Sequence, residues 1–482
     1  MVQSGVAFGT SGARGLVSAM TDAVCFAYTV GYLRHLETLG EFTEGASVAI
    51  AGDLRPSTPR ILRACAAAIV WMKGQPVFCG FVPTPALSLY AFSRSFPSMM
   101  VTGSHIPDDR NGIKFNRAHG EFLKTDEAAM RVQDVVLPDG WFDDEGTLIA
   151  DPTLPVMTDV LREYIQRYSD FFGTDALSGL TLGIYQHSAV GRDVLVTIVE
   201  ALGGTAIPLA RSDVFVSVDT EAVRSEDVVL AHEWGQLGVY DAILTTDGDS
   251  DRPLLADQKG RWIRGDVLGI LAAQKLGAAS VATPVSSNTA LEASGVPSVR
   301  RTRIGSPFVV SAMTDAVAEG LVPSVGYEAN GGFLLASDIV QKGKTLRSLP
   351  TRDAVLPMLC ALIAAQVRKI SLAELLNTLP PRFTASNRLK EIPTERSQAQ
   401  LEILRQDISG MMEALGFVET CGLVKHVDET DGLRITFEKG DILHLRPSGN
   451  APELRLYVEA DTEARAEQLL AQGLSSVSKW MA

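Results

Sequence analysis

Gly179–Leu209 reads GLTLGIYQHSAVGRDVLVTIVEALGGTAIPL. A short apolar run enters a loop punctuated by Ser188 and Gly191. An apolar stretch with helical spacing follows, closes at Gly203-Gly204, and gives way to a second apolar run. That is strand, loop, helix, strand. Val239–Asp257, VYDAILTTDGDSDRPLLAD, continues the rhythm with another strand that runs into an acidic loop.

The same alternation lies on both sides. Upstream, ASVAIAGD (46–53) is a strand ending in a Gly-Asp turn, and TPRILRACAAAIVWMKG (58–74) is a helix ending at Gly74. QPVFCGFVPTPALSLYAFSR and SMMVTGS follow as strand–loop–helix and strand–loop. Downstream come DVLGILAAQKLG, SVATPVSS, VRRTRIGSPFVVSAM and PSVGYEANGGFLLA. Three such sets, at intervals of roughly 100–130 residues, argue for repeated α/β layers with parallel strands. From about residue 376 the texture changes. GDILHLRPSGNAPELRLYVEADTEARAEQLLAQGLSSVSKWM (440–481) reads strand, loop, strand, helix, the pattern of a smaller α+β domain. The expected fold is α/β: three similar mixed α/β domains (1–150, 151–257, 258–375) and an α+β C-terminal domain (376–482) around a central cleft.

Composition narrows the function. A net charge of −14 without clustered Lys or Arg argues against a nucleic-acid partner. The five cysteines form no Cys-x-x-Cys pair, which argues against a disulfide framework or a zinc site. No run reaches the length of a membrane span, and the N-terminus lacks the shape of a signal peptide, so a cytoplasmic protein is expected.

Ligands of such sheets sit beyond strand ends, and four loops there carry chemistry. Asp247, Asp249 and Asp251 alternate directly after DAILTT. Three carboxylates at that spacing can converge on a hard cation such as Mg²⁺. An EF-hand fits poorly, because its sixth and twelfth positions are Arg252 and Gln258 here. LRPSGNAPELR offers Arg446, Ser448, Gly449, Asn450 and Arg455, suited to phosphate through guanidinium forks and turn amides. In GYEANGGF, Glu328 and Asn330 can grip neighbouring hydroxyls, or simply shape a tight turn. In VTGSHIPDDRNGIKF (101–115), Ser104 has neither a triad nor a nucleophile elbow. A phosphoryl carrier and a plain loop serine both remain open. Lys114 in that stretch can supply charge or a proton.

Together these loops resemble the α-D-phosphohexomutase family. Thr102-Gly103-Ser104-His105-Ile106-Pro107 and Asn111-Gly112-Ile113-Lys114 resemble its phosphoserine loop T-A-S-H-N-P and N-G-x-K. Asp247–Arg252 resembles its D-G-D-G-D-R, Tyr327–Gly331 its sugar loop, and Arg446–Pro452 its R-P-S-G-T-E-P. FGTSGARG and GDLRPST match further segments, the first making Arg14 a site candidate. The match spans the chain in order.

The resemblance implies that Ser104 carries phosphate and joins the three aspartates as metal ligands for Mg²⁺. Arg446, Ser448, Gly449, Asn450 and Arg455 would hold the sugar's existing phosphate, and Glu328 and Asn330 its hydroxyls. Arg14, Lys114 and Arg252 would stabilise transferring charge, and the route would pass through a 1,6-bisphosphosugar. Departures are Asn330, Ser250 and Asn450-Ala451, with Gly332 where many members carry histidine. Arg303 and Ser306 stand where some relatives have Lys and His. The expected base is therefore Lys114, helped by His105, with a pKa lowered by Arg14.

The loops look most like the bacterial phosphomannomutase branch. The expected reaction is mannose 6-phosphate to mannose 1-phosphate, with glucose phosphates the close alternative and glucosamine phosphates less favoured. Two rivals come from other classes. A phosphatase using Asp247 would want Thr or Val where Ser250 stands, and it leaves Ser104 without a role. A non-catalytic sugar-phosphate sensor draws on the missing histidine at Gly332.

Overall fold

The computed structural model describes residues 4–9, 12–150, 152–448 and 452–481. Three of its sheets share one strand order. In the first, Ser47–Gly52 pairs in parallel with Gln75–Phe81 and Ser98–Val101, and Ser98–Val101 pairs antiparallel with Arg110–Arg117. In the second, Thr181–His187 lies parallel to Thr205–Arg211 and Ala242–Thr246, and Ala242–Thr246 pairs antiparallel with Pro253–Asp257. In the third, Ser280–Pro284 lies parallel to Ser298–Thr302 and Ser324–Tyr327, and Ser324–Tyr327 pairs antiparallel with Phe333–Leu335.

The sheets are mixed, as expected, and the antiparallel member is the fourth strand of each set. That strand follows the third after a loop of a few residues. A crossover cannot be built from so little chain, so the strand turns back antiparallel. The loops at these three turns hold Ser104, the acidic run and Glu328. The repeated topology thus puts one functional loop per sheet at the same position.

Two additions matter. Ala13–Leu16 pairs antiparallel with Arg110–Arg117 and sets Arg14 opposite Gly112. Trp262–Ile263 pairs with Leu255 and Ala256, so the second sheet extends past residue 257.

Local sequence explains the helices that brace the sheets. Helix Asp22–Thr38 starts where the Thr21 hydroxyl accepts from the Val24 amide at 3.3 Å. Helix Thr58–Trp71 carries Pro59 in its first turn and buries Ile61, Leu62, Cys65 and Ile69. Each such aliphatic side chain contributes ~1.5–3 kcal/mol of burial. Helix Val355–Arg368 is buried on nearly all sides and runs through the interior.

One apolar core joins parts of all three sheets, from Ala49 and Tyr90 through Leu182 and Leu244 to Val325 and Leu359. The C-terminal domain has its own. Its five antiparallel strands are covered by helix Glu463–Met481 around Leu404, Phe417, Leu445, Leu456 and Leu469. All five cysteines are buried and free, and no helix among the described residues is long and apolar enough to cross a membrane.

Candidate active site

Ser104 sits at φ +54, in the left-handed region, inside a loop clamped from below. Arg55 Nη2 donates to the carbonyls of Ser104 (2.8 Å) and Ile106 (2.5 Å), and its Nη1 to those of Pro107 (2.7 Å) and Arg110 (3.0 Å). Asp53 holds Arg55 Nε at 3.1 Å and accepts from the Thr102 hydroxyl at 2.7 Å. Thr102 Oγ1 in turn accepts from the Ser104 amide at 2.8 Å. The ends of two neighbouring parallel strands thus fix a strained backbone, an expense of ~1–3 kcal/mol that the surrounding bonds must hold in place.

The acidic loop lies directly above. The Ser104 hydroxyl donates to Asp247 Oδ2 at 2.6 Å. A Cβ on Gly248 would stand 2.6 Å from the Ser104 carbonyl, so glycine is needed for this approach. Ser250 takes φ +57; its Oγ accepts from the Gly191 amide (2.9 Å) and the Thr246 hydroxyl (2.8 Å), which anchors the turn. Asp247, Asp249 and Asp251 are all buried, and each brings a carboxylate oxygen within 4.8 Å of the others. Asp249 Oδ1 and Asp251 Oδ1 are buried without a hydrogen-bond partner. Unpaired hard oxygens converging in one place fit a divalent cation.

Basic groups surround the trio. Lys114 Nζ bridges Asp249 Oδ2 at 2.5 Å and Asp251 Oδ2 at 2.6 Å, and the Thr84 hydroxyl donates to Asp249 Oδ2 at 2.6 Å. Arg252 Nη1 donates to His105 Nδ1 at 2.9 Å, and that nitrogen lies 3.3 Å from Ser104 Oγ. Burial pushes the Asp247 carboxyl well above the ordinary range, reinforced by Asp249 and Asp251. Burial acts to raise Asp249 too, yet Lys114 and Thr84 hold it below. The Arg14 guanidinium, whose Nε has no hydrogen-bond partner, is pushed down to about 10 by burial and by Arg252.

The expected lowering of Lys114 is overturned. Burial does act to lower it, but Asp249 and Asp251 outweigh burial and raise its pKa above the usual lysine value. His105 is pushed down to about 3, by burial and then by Arg252, which leaves it a weak base. In this state Lys114 is an ammonium that donates charge and His105 is a neutral acceptor.

In the sugar-loop candidate, Glu328 Oε2 accepts from Arg352 Nε at 2.7 Å. Asn330 Oδ1 accepts from the Gly332 amide at 2.9 Å, so that oxygen shapes the turn. A segment of the second domain ties the loops together: the Thr220 hydroxyl donates to the Asn330 carbonyl at 2.7 Å, and the Ser217 hydroxyl to the His105 carbonyl. Ser306 Oγ donates to Glu121 Oε2 at 3.0 Å, whereas Arg303 is exposed.

In the C-terminal domain, Arg446 and Arg455 are directly opposite on paired strands. Asp431 holds Arg446 Nε at 2.8 Å, while Arg455 Nε is buried without a hydrogen-bond partner. Facing like charges destabilise a strand pair; Asp431 beside Arg446 and Glu453, 3.8 Å from Arg455 Nε, offset part of that here. Ser448 is buried; Gly449 and Asn450 lie outside the described residues.

Residues 5–134 match the α/β/α domain I of the phosphoglucomutase/phosphomannomutase family, 264–383 its α/β/α domain III and 390–474 its C-terminal domain. The chain is 42% identical over 482 residues to a phosphomannomutase of Sinorhizobium fredii, covering 99% of this chain and 100% of that one. It is 43% identical over 476 residues to a phosphomannomutase of Salmonella muenchen, covering 98% and 96%. The chain belongs to this family, the α-D-phosphohexomutases. It is an intramolecular phosphotransferase, most like the phosphomannomutases. A crystal structure of a phosphoglucomutase/phosphomannomutase family protein from Burkholderia thailandensis shares the fold, with TM-score 0.73 at 19% identity and 97% of each chain covered.

Several residues that build this phosphohexomutase site escape sequence reasoning: Asp53, Arg55, Thr84, Glu121 and Arg352. Asp53 and Arg55 had a signal in GDLRPST, though none for the carbonyl clamp. Arg352 had a fainter one, a charged Arg-Asp pair at the mouth of an apolar helix.

Proposed function

We propose that the protein interconverts mannose 6-phosphate and mannose 1-phosphate through a phosphorylated Ser104 and a 1,6-bisphosphosugar, with Mg²⁺. The observation that carries this reading is the Ser104 hydroxyl donating to Asp247 inside a buried acidic trio that Lys114 and Arg252 flank. Ser104, Asp247, Asp249 and Asp251 would hold Mg²⁺. When bound, it supplies charge neutralisation on the transferring phosphoryl group and the departing serine oxygen.

The chain's own residues do the rest. Arg446, Ser448 and Arg455, with Gly449 and Asn450 of the same loop, grip the phosphate already on the sugar. That holds the distant hydroxyl in line with phosphoserine. Glu328 and Asn330 orient the sugar. As the P–O bond to the sugar hydroxyl forms, the P–Oγ bond of Ser104 breaks. In sum the hydroxyl proton moves to Ser104 Oγ, which then donates to Asp247 Oδ2. Arg14, Lys114 and Arg252 stabilise phosphoryl charge, and His105 accepts from Arg252 beside Ser104. The bisphosphosugar then turns round and returns its other phosphate to Ser104. Five free cysteines accord with a reducing cytoplasm.

Mannose and glucose differ only at C2, and a loop that grips hydroxyls elsewhere on the ring, as the family resemblance implies for Glu328 and Asn330, would not tell them apart, so glucose phosphates are the natural second substrates. The test is a coupled assay with Mg²⁺ and a trace of bisphosphosugar. It compares mannose, glucose and glucosamine 1-phosphates, with intact-mass measurement of wild type and Ser104→Ala. Mannose 1-phosphate turnover and one covalent phosphate, both lost in Ser104→Ala, are expected. Turnover of glucose 1-phosphate alone would replace mannose with glucose. An active Ser104→Ala bearing phosphoaspartate would overturn the mechanism in favour of an Asp247 phosphatase, and binding without turnover would favour a sensor.

A further inference from the structure

Thr351, Arg352 and Asp353 are buried at the entrance to helix Val355–Arg368, and each is tied to a different part of the molecule. The Thr351 hydroxyl donates to Glu121 Oε1 at 2.9 Å, in the first domain. Asp353 Oδ1 accepts from the hydroxyls of Tyr164 (3.2 Å) and Tyr168 (2.6 Å). Arg352, 2% exposed, lies between these anchors. Its Nε donates to Glu328 Oε2 at 2.7 Å, and its Nη1 lies 3.6 Å from Asp251 Oδ2. One guanidinium thus faces both the sugar-loop carboxylate and a carboxylate of the acidic trio.

To do so, its stem crosses the backbone of the sugar loop. A Cβ on Gly332 would stand 2.5 Å from Arg352 Cδ and 2.9 Å from its Cγ. The flanking anchors hold the Arg352 backbone, so the stem has little freedom to yield. A side chain at 332 therefore forces this arginine stem to shift. The space that a side chain at 332 would need is the space Arg352 occupies.

We propose that Arg352 is a positioning residue that holds Glu328 in register with Asp251, and so aligns the bound sugar with Ser104, with Gly332 as its required clearance. This rests on the mutase reading above. Without the guanidinium, Glu328 and Asp251 are buried carboxylates with less charge between them. They move apart, and the sugar is presented out of line, where a small misplacement lowers the rate sharply.

The test is a set of kinetic cycles on the Mg²⁺-loaded enzyme with the best hexose 1-phosphate from the assay above. The variants are Arg352→Lys, Arg352→Ala, Glu328→Gln, Gly332→Ala and the doubles Arg352→Ala/Glu328→Gln and Arg352→Ala/Gly332→Ala. Melting temperature is measured alongside. Arg352→Ala is expected to raise KM about tenfold and to lower kcat, with Arg352→Lys recovering part of the loss. Arg352→Ala/Glu328→Gln should be no worse than the worse single variant. Gly332→Ala should lower kcat/KM about tenfold in the native background and less than about twofold beside Arg352→Ala. If Arg352→Ala does not fold, Arg352→Lys with Glu328→Gln carries the first cycle. Additive effects, a wild-type KM in Arg352→Ala, or equal effects of Gly332→Ala in both backgrounds would overturn the proposal while the mutase reading stands. A wild-type protein that turns over no hexose phosphate would overturn both.

Discussion

Ser104 Oγ and Asp247 Oδ2 meet at 2.6 Å, although they belong to different sheets. Each follows the third strand of its own set, and Glu328 holds the equivalent place in the third sheet. Repetition of one strand order therefore converts three separate loops into one site. The serine that would carry the phosphoryl group already touches a carboxylate that would hold its counter-ion.

The burial of Asp247 beside two further carboxylates sets the pH dependence of cation binding. Burial, Asp249 and Asp251 raise the Asp247 carboxyl, so it keeps its proton to higher pH than an ordinary aspartate. A metal ligand must be deprotonated. Cation binding should therefore release a proton, and affinity should rise with pH. Calorimetry with Mg²⁺ in buffers of different ionisation enthalpy measures the release. In Asp247→Asn the release should shrink and the affinity fall about tenfold or more. Equal proton release in both proteins would refute the assignment.

Arg446 and Arg455 oppose each other across two strands, and Arg455 Nε lacks a hydrogen-bond partner. Arg455→Ala removes facing like charge from the free protein and a donor from the bound one. Its folding stability should stay within ~1 kcal/mol of the parent. Its affinity for mannose 1-phosphate should fall by ~1.5–3 kcal/mol, the worth of a hydrogen bond to a charged group. Titration calorimetry and thermal unfolding separate the two. Weaker folding with unchanged binding would mark the arginine as structural.

Arg55 organises the serine loop through four carbonyls, and its side chain is fully buried beside Asp53. Arg55→Met should destabilise the protein by ~3–5 kcal/mol, because it leaves Asp53 as an unpaired buried charge. Arg55→Lys offers a point charge in place of a planar fork and cannot reach all four acceptors. It should fold, yet take up phosphate at Ser104 more slowly from a bisphosphosugar. Time-resolved intact mass gives that rate, and a parent-like rate in Arg55→Lys would show that the clamp is dispensable.

What was legible in the sequence was local. Ser104 and the acidic run stand in stretches of a few residues at strand ends, so short spacing carries their chemistry. The helix Thr58–Trp71 and the strands around it follow from periodicity. That the fourth strand of each mixed sheet is the antiparallel one was not legible, because an apolar run has no direction until the length of its loop is weighed. The charge state of Lys114 was misjudged for a related reason. Its neighbours Asp249 and Asp251 lie far along the chain, and sequence inspection supplied Arg14 in their place. Arg352 was overlooked because its partners Glu328 and Asp251 come from two other loops.

His444 supplies a test that does not depend on the reaction. It is buried, its Nε2 hydrogen-bonds the Asp431 carbonyl at 2.6 Å, and its ring stacks on Tyr457 at 5.2 Å. Burial pushes its pKa down to about 4, against the pull of the Asp431 carbonyl. The unfolded chain, with a pKa of about 6.5, then binds a proton more readily than the folded one. Its contribution to stability is complete above pH ~6.5 and is lost as pH falls towards 4, by at most ~3 kcal/mol. His187, also pushed down to about 4 by burial, acts in the same direction. Unfolding in urea from pH 7 to pH 4 should show this decline in the parent and a shallower one in His444→Gln, whose amide can still donate to Asp431. Parallel curves would show that His444 protonates as easily in the folded protein as in the unfolded chain.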